Sequence, residues 1–256
     1  MSPLSLTIFL LSIFFEVVLI WRLGQNRLWK HYRWLLAYVV YTLVVMDLGA
    51  FVVYHLFPGL YPAWYWDSES LSMGLRFCVL WEIFRHTFAH VGSLNKVVSK
   101  GLATGSSIPI LLSGFAFWSV LFYISHDRLH YLYPALERSF GLVQAFLLAG
   151  ILVAARYYRV RLGRNVWGIA IGFGAFVSAS TILFSLVNLS ESFAPYMQVL
   201  SPLSFVSMLA VWTWALWVYA PNPAVGMNKT AAESAALVWW ESWTDTLASI
   251  KRTRNT

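Results

Sequence analysis

Charge is what this chain has least of. Only 11% of its 256 residues are Asp, Glu, Lys or Arg, about half the share found in soluble domains. That leaves too little polar surface to cover a water-soluble core of this size. Cysteine occurs once, as Cys78, so no internal disulfide exists and the redox compartment is not legible; the residue reads as a small buried apolar side chain. No Gly-Lys-Ser/Thr follows the loop-like Gly-Leu-Ala-Thr-Gly-Ser-Ser at 101–107, which excludes a phosphate loop and leaves a connector. No Gly-x-Ser-x-Gly and no acid–nucleophile pair appears on the loops, so no catalytic motif supports an enzyme. No basic residue precedes the first apolar stretch and no A-x-A site follows it, which argues for a retained helix over a signal peptide.

What fills the chain instead is hydrophobic sequence. Apolar residues make up 59% and the mean hydropathy is +0.64. Seven stretches run at about 4–21, 34–57, 71–91, 108–124, 139–157, 166–189 and 199–220. Roughly 20 residues at 1.5 Å rise cross a bilayer as a helix. Backbone polar groups in lipid must pair within the segment, so these stretches read as helices. The expected fold is an all-α membrane protein, a seven-transmembrane-helix bundle over 1–223, followed by a tail over 224–256.

The loops alternate in charge. Arg22, Arg27, Lys30 and Arg33 follow the first stretch, Lys96 and Lys100 the third, and Arg156, Arg159, Arg161 and Arg164 the fifth. The intervening loops carry Asp67 and Glu69, then a balanced set of Asp127, Arg128, Glu137 and Arg138, then Glu191 alone. Lys and Arg stay on the cytoplasmic side, so the N-terminus is expected outside and the C-terminus in the cytoplasm. The same bases account for the net charge of +7 as topology signals and lipid-headgroup contacts, and a nucleic-acid partner is not expected. Trp64, Tyr65 and Trp66 mark one membrane surface and Trp34, Tyr157, Tyr158 and Trp167 the other, as amphipathic rings do. The reading is a multi-pass protein of the plasma (inner) membrane, with the bilayer as its first partner. Asn188-Leu-Ser190 forms a glycosylation sequon on the outer side, meaningful only in a eukaryotic secretory pathway.

Pro221 and Pro223 end the seventh stretch. A capping box at Thr230–Glu233 opens a segment with Leu237, Trp240, Trp243, Leu247 and Ile250 at spacings of three and four. A C-terminal amphipathic interfacial helix over about 231–250 is expected, an anchor on the inner surface in the plainer reading. A docking surface for a cytoplasmic protein, shared with the inner loops, is the functional alternative.

Intramembrane charge gathers in the first three stretches as Glu16, Asp47, Arg76, Glu82 and Arg85. Such groups are costly in hydrocarbon, about 2.5–3.5 kcal/mol each on insertion scales, and face protein or water with a partner. Depths counted at 1.5 Å per residue place Glu16, Asp47, Glu82 and Arg85 in one central slab, with Arg76 nearer the outside and within reach of Asp67. Glu82, Arg85 and His86 share a face of the third helix. They form a candidate ligand, ion or proton network with Glu16 and Asp47; a static salt-bridge network that fixes packing weighs equally. The pairs His86/His90 and His126/His130 have metal-ligand spacing but fall at opposite ends of the bundle, so interfacial histidines are the plainer reading and no metal or other cofactor is expected. Gly168 and Gly172 make a G-x-x-x-G face for close helix packing, internal before intermolecular.

The topology is similar in outline to seven-helix receptors and to the sugar-transporting SWEET proteins. The residues depart from both. The seventh stretch has no lysine for a retinal Schiff base, Glu82-Ile-Phe-Arg85 does not match the Asp/Glu-Arg-Tyr signature, and the charges of the first three helices have no counterpart in the last three. Two function classes therefore stay open. One is a non-enzymatic membrane sensor or interaction subunit. The other is a small-solute or ion transporter or channel that uses the same polar network.

Overall fold

The computed structural model describes residues 3–25, 27–88, 126–157, 160, 162–218 and 220; side chains are not described at 126–136, 188 and 191. Among these residues the chain is helical and has no strand. We number the helices α1 (Pro3–Gln25), α2 (Arg33–Leu56), α3 (Tyr61–Thr87), α4 (His126–Tyr157), α5 (Arg164–Leu189) and α6 (Ala194–Leu216). Five of them, α1, α2, α5, α6 and the Glu137–Tyr157 part of α4, are long and apolar enough to cross a membrane. The fourth expected stretch, 108–124, and the tail helix lie outside the described residues.

Two helices are longer than the apolar pattern alone suggests. The third stretch is expected from 71, yet α3 begins at Tyr61, with Pro62 in its first turn, where the missing N–H costs nothing. The charged segment before 139 is already helical from His126. Hydropathy marks the apolar layer, whereas a helix continues past that layer as long as its backbone bonds do.

α2 is not regular. It runs as α-helix over Arg33–Tyr41, as π-helix over Thr42–Gly49 and as α-helix again over Ala50–Leu56. The wider turn leaves carbonyls free for side chains, and Trp64 Nε1 donates to Val45 O at 3.2 Å. Gly49 allows this approach, because a Cβ there would sit 2.8 Å from the Trp64 ring. Opposite, α6 contains Pro202, which cannot donate to the carbonyl of Gln198.

The six helices form a closed ring in which each packs on the next, α6 returns to α1, and α3 also touches α5. Side-chain contacts give the directions. Ser12 meets Asp47 and Phe9 meets Phe51, so α1 and α2 are antiparallel. Tyr41 meets Ser68, and Leu35 meets Glu82, so α3 returns alongside α2. Gly172 faces Trp212 and Phe176 faces Phe205, so α5 and α6 are antiparallel. Gly141 faces Thr181 and Leu148 faces Gly174, which sets α4 against α5. Arg22 at the end of α1 meets Trp217 just after α6, so those two run together. It follows that α3 and α4 run in the same direction.

The core is concentrated in one half of the ring. Leu19, Leu23, Leu35, Tyr38, Ile83, Phe84, Ile151, Ile169, Phe173, Leu209, Trp212 and Leu216 form one buried cluster. Tyr38 and Trp212 meet edge to face with centroids 6.0 Å apart, and Trp212 Nε1 donates to Ile169 O at 3.0 Å. Arg22 and Arg164 close this end. The first lies over Trp217 and the second over Trp214, 4.8 and 4.4 Å from the ring centroids, and each donates to the carbonyl of that residue. Cations suit the negative end of a helix. Outward, Phe14, Phe146, Val153 and Ile182 keep more than half their surface open, an apolar exterior that hydrocarbon accommodates and water does not.

Candidate functional site

The other half of the ring is hollow. A cavity of about 500 Å³ extends from Ser5, Tyr54, His55 and Tyr61 at the bundle end to Ser12 and Asp47. A second, of about 170 Å³, continues beneath it to Tyr38, Glu69, Arg76, Glu137 and Ser180. The two share Met46, Asp47, Tyr65, Pro202 and Phe205 as walls. The π-helical stretch of α2 and Pro202 of α6 therefore face the same space. Tyr38 and Phe176 stand between the lower cavity and the solid core. Around Glu82, by contrast, the free volume is only about 10 Å³, about the minimum for one water.

Two polar clusters line the hollow. In the first, Ser12 Oγ donates to Asp47 Oδ2 at 2.9 Å. Glu16, one turn along α1 from Ser12, is fully buried. Thr42 and Asp47 lie within hydrogen-bonding reach of it, although neither carboxylate oxygen makes a well-aligned hydrogen bond. In the second, Arg76 pairs with Glu69 on its own helix and, at 3.2 Å, with Glu137 on α4. All three are buried. Glu69 and Arg76 are seven residues apart, two helical turns on one face. The guanidinium lies 4.9 Å from the Phe176 ring centroid, and its Nε is unpaired. These are the ion pairs formed among the described residues.

The expected single network therefore divides. Glu16 and Asp47 come together. Glu82 does not join them: Trp34 N and Leu35 N donate to its two oxygens at 3.2 and 2.9 Å. It thus caps the N-terminus of α2 from the neighbouring helix, supplying acceptors for amides that the helix itself leaves orphaned. Arg85 is exposed and outside both clusters. Arg76 meets Glu69 and Glu137 in place of Asp67. His86 is half-buried, its Nε2 at 2.8 Å from His31 O and its ring against Tyr32. The source of the discrepancy is arithmetic: beginning α3 ten residues earlier moves Glu82 about 15 Å further along, to the sealed end.

No three metal-ligating side chains gather among the described residues. His90 is not among them, and His126 and His130 lie in the part of α4 without described side chains. Gly168 and Gly172 lie against α6, where a Cβ on the first would collide with Ala215 and one on the second would stand 2.8 Å from Trp212.

Sequence reasoning missed several groups. Ser12 carries no signal beyond its i−4 relation to Glu16. Glu137 reads as a loop residue balancing Arg138. Asn165, buried at the start of α5, donates to Ala215 O and Val218 O at 3.3 Å and accepts from Ala220 N at 2.7 Å, so it fixes the end of α6; a polar residue beside a basic loop does not announce this.

No protein-family model matches the chain, and neither the curated proteins nor the solved structures contain a significant match.

Proposed function

We propose that this chain is a seven-helix, non-enzymatic sensor of the plasma membrane. Its hollow half faces outward and receives a ligand, and its sealed half faces the cytoplasm and passes the change to a partner. The observation that carries this is the division of the ring into a half with cavities that reach Asp47 and Arg76 and a half filled by a close-packed aliphatic and aromatic core. The parallel run of α3 and α4 supports a seventh crossing between them. The placement of Arg22 and Arg164 at the sealed end supports an N-terminus outside. Among the described residues the hollow opens at the N-terminal end of α1 and reaches no further than Tyr38, which suits reception more than passage.

The transporter reading keeps one observation in its favour. The π-helical stretch at Asp47 and Pro202 are interruptions on facing helices at the cavity wall, the arrangement that midplane substrate sites employ. Labelling with a membrane-impermeant maleimide separates the two. In a Cys78→Ser background, Ala50→Cys on the cavity wall should react from the N-terminal side only. Reaction from both sides would establish passage and reject the sensor.

A further inference from the structure

We infer that the cavity binds a small organic ammonium cation, with its charge at Asp47 above Glu16 and its apolar body among aromatic rings. This rests on the reading of the cavity as the ligand-receiving site. Two independent observations converge on it. The first is charge. The hollow is lined or underlain by four carboxyls, Glu16, Asp47, Glu69 and Glu137, against one guanidinium, Arg76. Arg76 is occupied by Glu69 and Glu137, so among the described residues no ion pair compensates Glu16 and Asp47. Glu16 in addition has no exposed surface, and its oxygens face only Thr42 and Asp47, without a well-aligned hydrogen bond to either. Two adjacent carboxyls away from water cannot both carry charge unless a cation joins them. The second is shape and surface. A volume of about 500 Å³ is that of a small-molecule site and far exceeds what a bare metal ion needs. Its walls above Asp47 include Phe9, Phe51, Tyr54, Tyr61, Tyr65 and Phe205, whose ring faces attract an ammonium group and whose area buries an apolar substituent.

The test uses the full chain purified in detergent, with phenethylammonium as the probe. It should raise the melting temperature in a saturable manner, while phenethyl alcohol and sodium chloride at matched concentration should not. Asp47→Asn should weaken the apparent affinity by about tenfold or more, as loss of a charge-assisted contact does. Phe51→Ala, at a half-exposed position that leaves the core intact, should weaken it several-fold and serves if Asp47→Asn does not fold. An equal shift from sodium would replace the proposal with an alkali-cation site. An equal shift from the alcohol would reduce it to an apolar cavity, and no shift from any probe would refute it. One-sided cysteine labelling without an ammonium effect would overturn the ligand class alone, whereas failure of that labelling would remove the cavity reading as well.

Discussion

Glu82→Ala should be among the most damaging single substitutions in the chain, while Arg85→Ala, three residues away on the same helix, should be nearly silent. Glu82 is buried and accepts from Trp34 N at 3.2 Å and Leu35 N at 2.9 Å. Hydrogen bonds to a charged group contribute about 1.5–3 kcal/mol each, the one from Leu35 N being buried and the one from Trp34 N partly so. A carboxylate at a helix N-terminus adds about 0.3–2 kcal/mol. The expected loss is therefore about 3–8 kcal/mol, or roughly 6–32 °C in melting temperature at this chain length. Glu82→Gln retains one good acceptor and should lose about half as much. Arg85 is exposed and its removal should stay within about 0.5 kcal/mol. Unfolding in detergent can be followed by reaction of the half-buried Cys78 with a thiol-reactive dye. Equal losses from Glu82→Ala and Arg85→Ala would restore the single network anticipated from the sequence and refute the cap. No loss from Glu82→Ala would refute both.

Arg76→Met should cost about 3–5 kcal/mol, since it leaves Glu69 and Glu137 buried without a cation; adding Glu69→Gln and Glu137→Gln should recover much of that loss, and a triple variant no more stable than the single one would deny the triad. Gly168→Val should force α5 away from Ala215 and lower stability by about 1–3 kcal/mol, read as a lower melting temperature, whereas Gly24→Ala, where a Cβ meets nothing, should not. Asn165→Ala should cost about 2–3 kcal/mol through the unmet carbonyls and amide at the end of α6; melting unchanged from the parent would contradict that role.

Much of the architecture is legible in composition and periodicity, because a bilayer imposes a length and a polarity on every segment it contains. The ends of α1, α5 and α6 fall close to where their apolar runs end. What is not legible is how a helix behaves beyond or within such a run. The π-helical stretch at Thr42–Gly49 depends on a tryptophan from α3 and a glycine that admits it. The early start of α3 at Tyr61 depends on a proline tolerated in its first turn. The second of these also misplaces the candidate site, because depth is counted from a helix end. Glu16 and Asp47 are found from sequence since both lie in helices with well-placed ends. Glu69 and Glu137 are assigned to loops because charge signals water, and only the packing of α3 on α4 brings them to Arg76.

The central claim is that the ring is hollow on one side of Tyr38 and solid on the other. The direct measurement is the reactivity of single cysteines placed down α2, at Tyr54, Ala50, Met46, Val39 and Leu35 in a Cys78→Ser background, toward a small charged thiol reagent applied from the N-terminal side. Reactivity should persist from Tyr54 to Met46, which line the cavity, and vanish at Val39 and Leu35, which are fully buried in the core. Reactivity continuing to Leu35, or absent already at Ala50, would contradict it.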